Sequence, residues 1–383
     1  MDGIPAAATD ARTEVDRLFA DHDHLRRRLR ADVRGVATQL HAERYPLVAL
    51  EYIVAYLEHI KAEHIDNPQA AVYVESELGA PRRQAEYVGW LVAAGLEVRG
   101  KSCLDVGCGN GGLALACVAA GARRVVGVDV ADHRIVAGRE MCRDKPIELR
   151  NANILEEDLG ETFDVILCTD VLEHVPQPDR LLRRIGDHLE PSERSFACVS
   201  LYNKFYPRSV LSEPHYDVPG LILLPYEVAS ALWAEVRAAY RSKVEYEVFH
   251  WHSYSEYEAM ARAAGLRMRP YHGEDAVNAA VPEMSRYAEA LSRLESDVEA
   301  KLRASPLPAA RAEQLRGTVA AYLEDARRDH AACLRAPTTE RYAALFAKYY
   351  AQPLLMIMQR PRPQWWRRWL SRGGVRAARR ATR

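Results

Sequence analysis

The sequence predicts an alternating α/β fold, a mostly parallel sheet flanked by helices, on three observations. Strand-like apolar runs alternate with helical stretches between residues 102 and 201, and such alternation implies right-handed crossovers between parallel strands. Lys101 to Asp129, KSCLDVGCGNGGLALACVAAGARRVVGVD, holds an apolar strand, a glycine-rich turn, a small-residue helix and a second strand closed by an acid. That is one βαβ unit, the kind that holds a nucleotide. Finally, the 383 residues are 48% hydrophobic and 27% charged, which is enough apolar matter for a full core.

Residues 1–98 read as helical. In EVDRLFADHDHLRRRLRADV the apolar positions Val15, Leu18, Leu25, Leu29 and Val33 suit one helix face. ALEYIVAYLEHIKAEH repeats the pattern, and Gly79-Ala80-Pro81 breaks it before a helix from Arg82 to Ala94. This layer packs against the α/β unit, pairs with a second subunit, or closes over a ligand; for the last role Tyr73, Tyr87 and Trp90 are the residues to watch.

Strands follow at Ser102–Val106, Arg124–Val128, Ile147–Arg150, Phe163–Cys168 and Ser195–Leu201, with helices at Ala131–Cys142 and Pro178–His188 between them. Ligands of such sheets bind at the carboxyl ends of the strands. The turn after the first strand, Asp105-Val106-Gly107-Cys108-Gly109-Asn110-Gly111-Gly112, also fits a dinucleotide fingerprint. Asp105 discriminates. A carboxylate there repels a pyrophosphate at the helix N-terminus but suits a ligand whose nearby group is an ammonium. S-adenosylmethionine carries that ammonium, a sulfonium and no phosphate.

With these motifs in order, the stretch from about Gly100 to Leu201, and more loosely to Gly273, resembles the class I S-adenosylmethionine-dependent methyltransferases. LDVGCGNGG looks like the family's first motif, and Asp129 matches the acid that takes both ribose hydroxyls. Asn153, in RNANIL, stands where the family often has an Asp facing the adenine amino group. FDVILCTDVLEHV resembles the fourth motif of small-molecule methyltransferases. The resemblance implies S-adenosylmethionine as cofactor, held by Asp105, Gly107, Cys108, Gly109, Asp129, Val130, Asn153, Ile154 and Thr169. His174, past the fourth strand, is the candidate catalytic base, since an unperturbed imidazole pKa of about 6.5 suits proton removal; a plain loop contact is the competing reading.

Beyond the fifth strand, SLYNKFYPRSVLSEPHYDVPG mixes aromatics and prolines as a pocket-shaping loop does. Tyr202, Asn203, Tyr206, His215 and Tyr216 are its candidate substrate contacts. His250-Trp251-His252 invites a metal reading, with alternate strand residues sharing a face, but no third ligand stands at a recognisable spacing. No metal is assigned. A helix from Tyr254 to Ala264 and a sixth strand from Leu266 to Tyr271 follow, and the seventh strand is LLMIMQ, Leu354–Gln359. The intervening helices, Met284–Arg303, Ala309–Ala332 and Thr339–Tyr350, form an insertion that covers the substrate or makes a homodimer, and the spacing of Leu291, Leu294, Val298 and Leu302 reads as an antiparallel hairpin.

The expected architecture is thus a Rossmann-like, seven-stranded methyltransferase sheet: an N-terminal helical region at 1–98, the catalytic domain at 99–280 plus 351–362, a helical insertion at 281–350 and a basic aromatic tail at 363–383. That tail, with Trp365, Trp366 and Trp369 among arginines, has the pattern of a peripheral membrane contact. A net charge of -1 gives no long phosphate track for nucleic acid. The 7 cysteines, odd in number and without a C-x-x-C pair, suit a reduced, cytoplasmic protein. No segment reads as a signal peptide and none is long and apolar enough to span a bilayer. The function expected is metal-independent methyl transfer to a small-molecule or glycolipid-like acceptor. A nucleic-acid methyltransferase, a non-methylating enzyme on the same cofactor, a nicotinamide-dependent dehydrogenase and a non-catalytic cofactor-binding module are the alternatives; Asp105 opposes the dehydrogenase.

Overall fold

A computed structural model describes residues 13–46, 48–68 and 70–361. The apolar stripe beginning at Val15 forms three helices, α1 (Glu14–Ala20), α2 (His22–Ala31) and α3 (Val33–Glu43), where the sequence suggested one. The cause is local. Asp21 and Asp32 leave helical geometry, and their carboxylates accept the backbone N–H of His24 and of Gly35, so each ends one helix and caps the next. The apolar positions still converge: Leu18, Leu25, Leu29, Val36 and Leu40 are fully buried in a core that α4 (Leu50–His59) and α5 (Ala70–Leu78) complete. This helical region thus has its own apolar centre. Its last helix, α6 (Ala80–Ala93), belongs to the core beneath the sheet.

Seven strands make the sheet: β1 (Ser102–Val106), β2 (Arg124–Asp129), β3 (Ile147–Asn151), β4 (Val165–Thr169), β5 (Phe196–Leu201), β6 (Arg267–Pro270) and β7 (Leu354–Gln359). Their order is β3-β2-β1-β4-β5-β7-β6, with β7 antiparallel to both of its neighbours and the other pairs parallel. Successive side chains of β1 and β4 point to opposite faces. Leu104, Val106, Ile166 and Cys168 enter the core shared with α9 (Pro178–His188) and α12 (Tyr254–Ala263), whereas Cys103, Val165 and Leu167 enter the core with α6 and α7 (Gly112–Ala119). Because the order reverses between β1 and β4, their carboxyl ends splay around a crevice.

Phe163 lies outside β4 and makes only a bridge to Leu189, so that strand starts later than expected. The chain from Arg241 to Ser253 forms no strand, which removes the alternating geometry assumed for His250-Trp251-His252: His250 instead approaches the Pro176 carbonyl at 3.1 Å, and the two imidazoles stack 5.1 Å apart.

The insertion starts earlier than expected, at α13 (Glu274–Ser285), and continues through α14 (Tyr287–Ala304), α15 (Ala309–Arg335) and α16 (Thr339–Tyr349). Leu291, Leu294, Val298 and Leu302 are buried within the chain, as are Leu315, Val319 and Leu323 of α15. The pair sits on the segment after β5: Tyr322 donates to the Phe205 carbonyl at 2.7 Å, and Lys301 pairs with Asp217. Among the described residues no helix is long and apolar enough to cross a membrane. The tail at 363–383 lies outside the described residues.

Candidate active site

The cleft at the sheet's carboxyl edge has two parts that meet at Gly107, Arg134 and Asp170. The larger, about 740 Å³, is bounded by the ends of β2 and β4 and includes Asp129, Val130, Asn153 and Ile154. The smaller, about 470 Å³, lies between the glycine turn and α5–α6, and includes Cys108, Gly109, Thr169, Arg83 and Tyr202.

Sterics require glycine in the turn. Gly107 has φ +72°, and a Cβ there would stand 2.2 Å from Val171 Cγ2; no other residue fits both conditions. At Gly112, where α7 begins, a Cβ would meet Gln84 Oε1 at 2.1 Å, because α6 presses directly on the turn. The N-terminal region therefore forms one wall of the cleft.

Asp129 ends β2 with both carboxylate oxygens aimed at backbone, Oδ2 accepting from Gly109 N–H and Oδ1 from Ala131 N–H, each at 2.8 Å. Each oxygen retains a second lone pair for a vicinal diol such as a ribose. Asn153 folds its own loop: Oδ1 accepts from Leu155 N–H at 3.1 Å, and its N–H donates to Glu157 at 2.9 Å. Val130, 70% exposed, forms an apolar rim.

Asp105 is buried at the end of β1 on the α6–α7 side, and its Oδ2 has no hydrogen-bond partner. Burial, reinforced by the nearby Asp129 charge, pushes its pKa up to about 8. Asp105 lies behind the glycine turn and lines neither part of the cleft; once ionised, it complements an ammonium group held at that turn. The glycine cradle, the diol acceptor and this orphaned carboxylate together fit S-adenosylmethionine.

The larger cavity is also lined by His174, its Nδ1 2.9 Å from the Glu247 carbonyl. A carbonyl only accepts, so Nδ1 carries the hydrogen and Nε2 a lone pair. Burial and then the neighbouring His215 push the His174 pKa down to about 4, keeping it neutral. The two rings meet edge to face, 4.9 Å apart. His215 behaves oppositely. Burial opposes its charge, but Glu213, 3.1 Å from Nδ1, raises its pKa overall. Beneath them Glu173 is fully buried with neither carboxylate oxygen partnered, and burial raises its pKa.

Of the five expected substrate contacts, Tyr202 and His215 reach this region, joined by Trp251, whose ring lies 5.7 Å from His215 and 6.4 Å from Tyr202. The others have different tasks. Asn203 is buried: its amide donates to the Ala347 and Ala351 carbonyls and its Oδ1 accepts from Phe205 N–H, tying the β5 loop to the segment before β7. Tyr216 is buried against Trp233 and Tyr246, and its hydroxyl contacts the 245–247 backbone. Tyr206 stands just before the short helix α10 (Pro207–Leu211), makes no side-chain cap bond to it, and lines neither part of the cleft.

Sequence reading gave no site role to Arg134, Arg83 or Gln84, and gave the His250-Trp251-His252 run a pocket-edge or core role. Arg134 follows the Asp129 turn by one helical step and ion-pairs with Glu77 at 3.5 Å. Its sequence neighbourhood signalled only a helix; the pairing across to α5 is tertiary.

The fold and this site define a class I S-adenosylmethionine-dependent methyltransferase domain. Residues 81–270, just under half of this chain, match the family model described as a methyltransferase domain. The ubiquinone biosynthesis O-methyltransferase of Neisseria meningitidis is 35% identical over 135 residues, covering 34% of this chain and 54% of that protein. The protein of the same name from Coxiella burnetii is 28% identical over 141 residues, covering 36% of this chain and 52% of its own. This chain thus spans about half the length of the curated relatives it matches. A solved S-adenosylmethionine dependent methyltransferase from Mesorhizobium loti is 21% identical, covers 53% of this chain and 92% of its own, and gives a TM-score of 0.38.

Proposed function

We propose that the protein is a methyltransferase that uses S-adenosylmethionine to methylate a hydroxyl of a small molecule. The observation that carries this reading is a neutral imidazole, His174, in the wall of the larger cavity that Asp129, Gly107 and Asp170 also line. S-adenosylmethionine supplies, when bound, an electrophilic methyl carbon on a sulfonium. Asp129 would hold the ribose hydroxyls, Val130 and Ile154 the flat apolar base, and Asp105 with the turn of Gly107 to Gly109 the amino-acid end. Tyr202, His215 and Trp251 would form the wall against which the acceptor lies, and His174 Nε2, left only weakly basic by its lowered pKa of about 4, would accept a hydrogen bond from the acceptor hydroxyl and orient it. Proximity, orientation and exclusion of water supply most of the rate. The O-methyltransferase relatives support oxygen as the atom methylated.

Incubating the protein with methyl-labelled cofactor and pools of phenols, sugars and glycolipids, followed by mass spectrometry, tests the proposal. Label is expected on a hydroxyl, and Asp129→Ala should abolish its transfer; a protein that binds NAD and not S-adenosylhomocysteine would overturn the reading. A glycolipid-like acceptor and peripheral membrane contact rest on the 363–383 tail. Flotation of the full chain with anionic liposomes, lost on deleting 363–383, is expected, and a full chain that never floats disposes of the contact.

A further inference from the structure

We propose that Glu173, His174 and His215 bind one divalent first-row transition-metal ion on the inner wall of the cleft. A Glu173 oxygen and one ring nitrogen from each histidine lie within 4.8 Å of one another. Ligand atoms about 2.0–2.2 Å from a shared zinc-type ion sit roughly 3–4 Å apart, so side-chain adjustments of about an ångström close the set.

Three features distinguish this group from a chance cluster. Glu173 is 0% exposed, and neither of its oxygens has a hydrogen-bond partner. An acid so placed is costly unless a cation meets it. His174 already uses Nδ1 on the Glu247 carbonyl, which fixes the tautomer that presents Nε2 as a ligand. His215 has its Nδ1 against the Glu213 carboxylate, and Glu213 is itself held by the N–H groups of His215 and Tyr216 at 2.7 and 2.6 Å. A second nitrogen turned to a carbonyl or carboxylate is how metal-bound imidazoles are oriented.

Two imidazoles and one carboxylate suit zinc, manganese, iron or cobalt in preference to calcium or magnesium. Three protein ligands leave a position for an outside group, and His174 borders the larger cavity. Ion binding does not depend on the functional reading above; only its consequence does. A hydroxyl ligated to such an ion loses its proton to solvent more readily, and with Nε2 on the ion, His174 becomes a ligand rather than a hydrogen-bond partner of the acceptor. This departs from the metal-independent enzyme that the sequence suggested.

The test uses the full, untagged chain after chelation and dialysis, titrated with Co²⁺ by calorimetry and visible absorption. One ion per chain is expected. Glu173→Gln and His215→Ala should each weaken binding more than about 100-fold, whereas His250→Ala should not, which separates this group from the stacked His250–His252 pair. S-adenosylhomocysteine binding by the chelated variants shows that they are folded; should either variant fail that control, X-ray absorption of the Co²⁺-loaded wild type must show two imidazoles in the first shell. No Co²⁺ bound at millimolar concentration, retention of binding in folded Glu173→Gln, or loss confined to His250→Ala overturns the proposal. Co²⁺ binding without S-adenosylhomocysteine binding would instead overturn the methyltransferase reading and leave the ion site standing.

Discussion

Cofactor binding should release a proton from Asp105. The buried carboxyl has its pKa pushed up to about 8, from an ordinary 3.8, by burial and the Asp129 charge. At pH 7 it is therefore ionised in roughly one molecule in eleven, and at pH 6 in roughly one in a hundred, each unit of pH being worth about 1.4 kcal/mol. A ligand ammonium, itself charged below about pH 8, selects the ionised form. The affinity for S-adenosylhomocysteine should then rise close to tenfold between pH 6 and pH 7, with about 0.9 proton released per ligand bound at pH 7. Calorimetry in buffers of different ionisation enthalpy measures that proton directly. Asp105→Asn, equal in shape and without the titration, should flatten the affinity profile and release none. The same shift has a stability consequence of opposite sign. A raised folded-state pKa means that the free protein holds a proton the unfolded chain has lost, so this group's contribution falls as pH rises from about 4 to about 8. A wild-type affinity that is flat between pH 6 and pH 7, with no proton released, would refute the placement of the ammonium beside Asp105.

Further predictions concern the turn and the loop beyond β5. Gly107→Ala places a methyl 2.2 Å from Val171 Cγ2 at φ +72°. It should cost about 2–4 kcal/mol in chemical denaturation and abolish cofactor binding, and adding Val171→Ala should recover part of the stability. Asn203→Ala strands two carbonyls and an N–H in the interior. Stability should fall by about 3 kcal/mol, roughly 4 °C in Tm for a chain of this length; an unmoved Tm with a raised acceptor KM would restore Asn203 as a substrate contact. Asp129→Ala removes the acceptor for the Gly109 and Ala131 N–H groups as well as for the ribose, so S-adenosylhomocysteine affinity should drop by more than about 100-fold in calorimetry.

Local chemistry made the sheet and the cofactor half of the cleft legible in the sequence. Gly107, Asp105 and Asp129 lie within one βαβ unit, where strand period, turn sterics and a strand-end acid are fixed by neighbours along the chain. For the same reason Pro178–His188 and Leu354–Gln359 fall where their apolar periods put them. The acceptor half was not legible, because its members are distant in sequence and share no spacing. Asn203 and Tyr216 have the composition of a pocket loop, yet the insertion and the 245–247 segment claim their polar atoms. His215 and Glu173 meet only because the loop after β5 folds back over the turn after β4, and Arg83 and Gln84 reach the glycine turn only because α6 docks on it. Residue type and spacing determined which donor the chain can hold. Tertiary packing alone decided which side chains remain free to face an acceptor, since a polar group serves a ligand only when the fold leaves it without another partner.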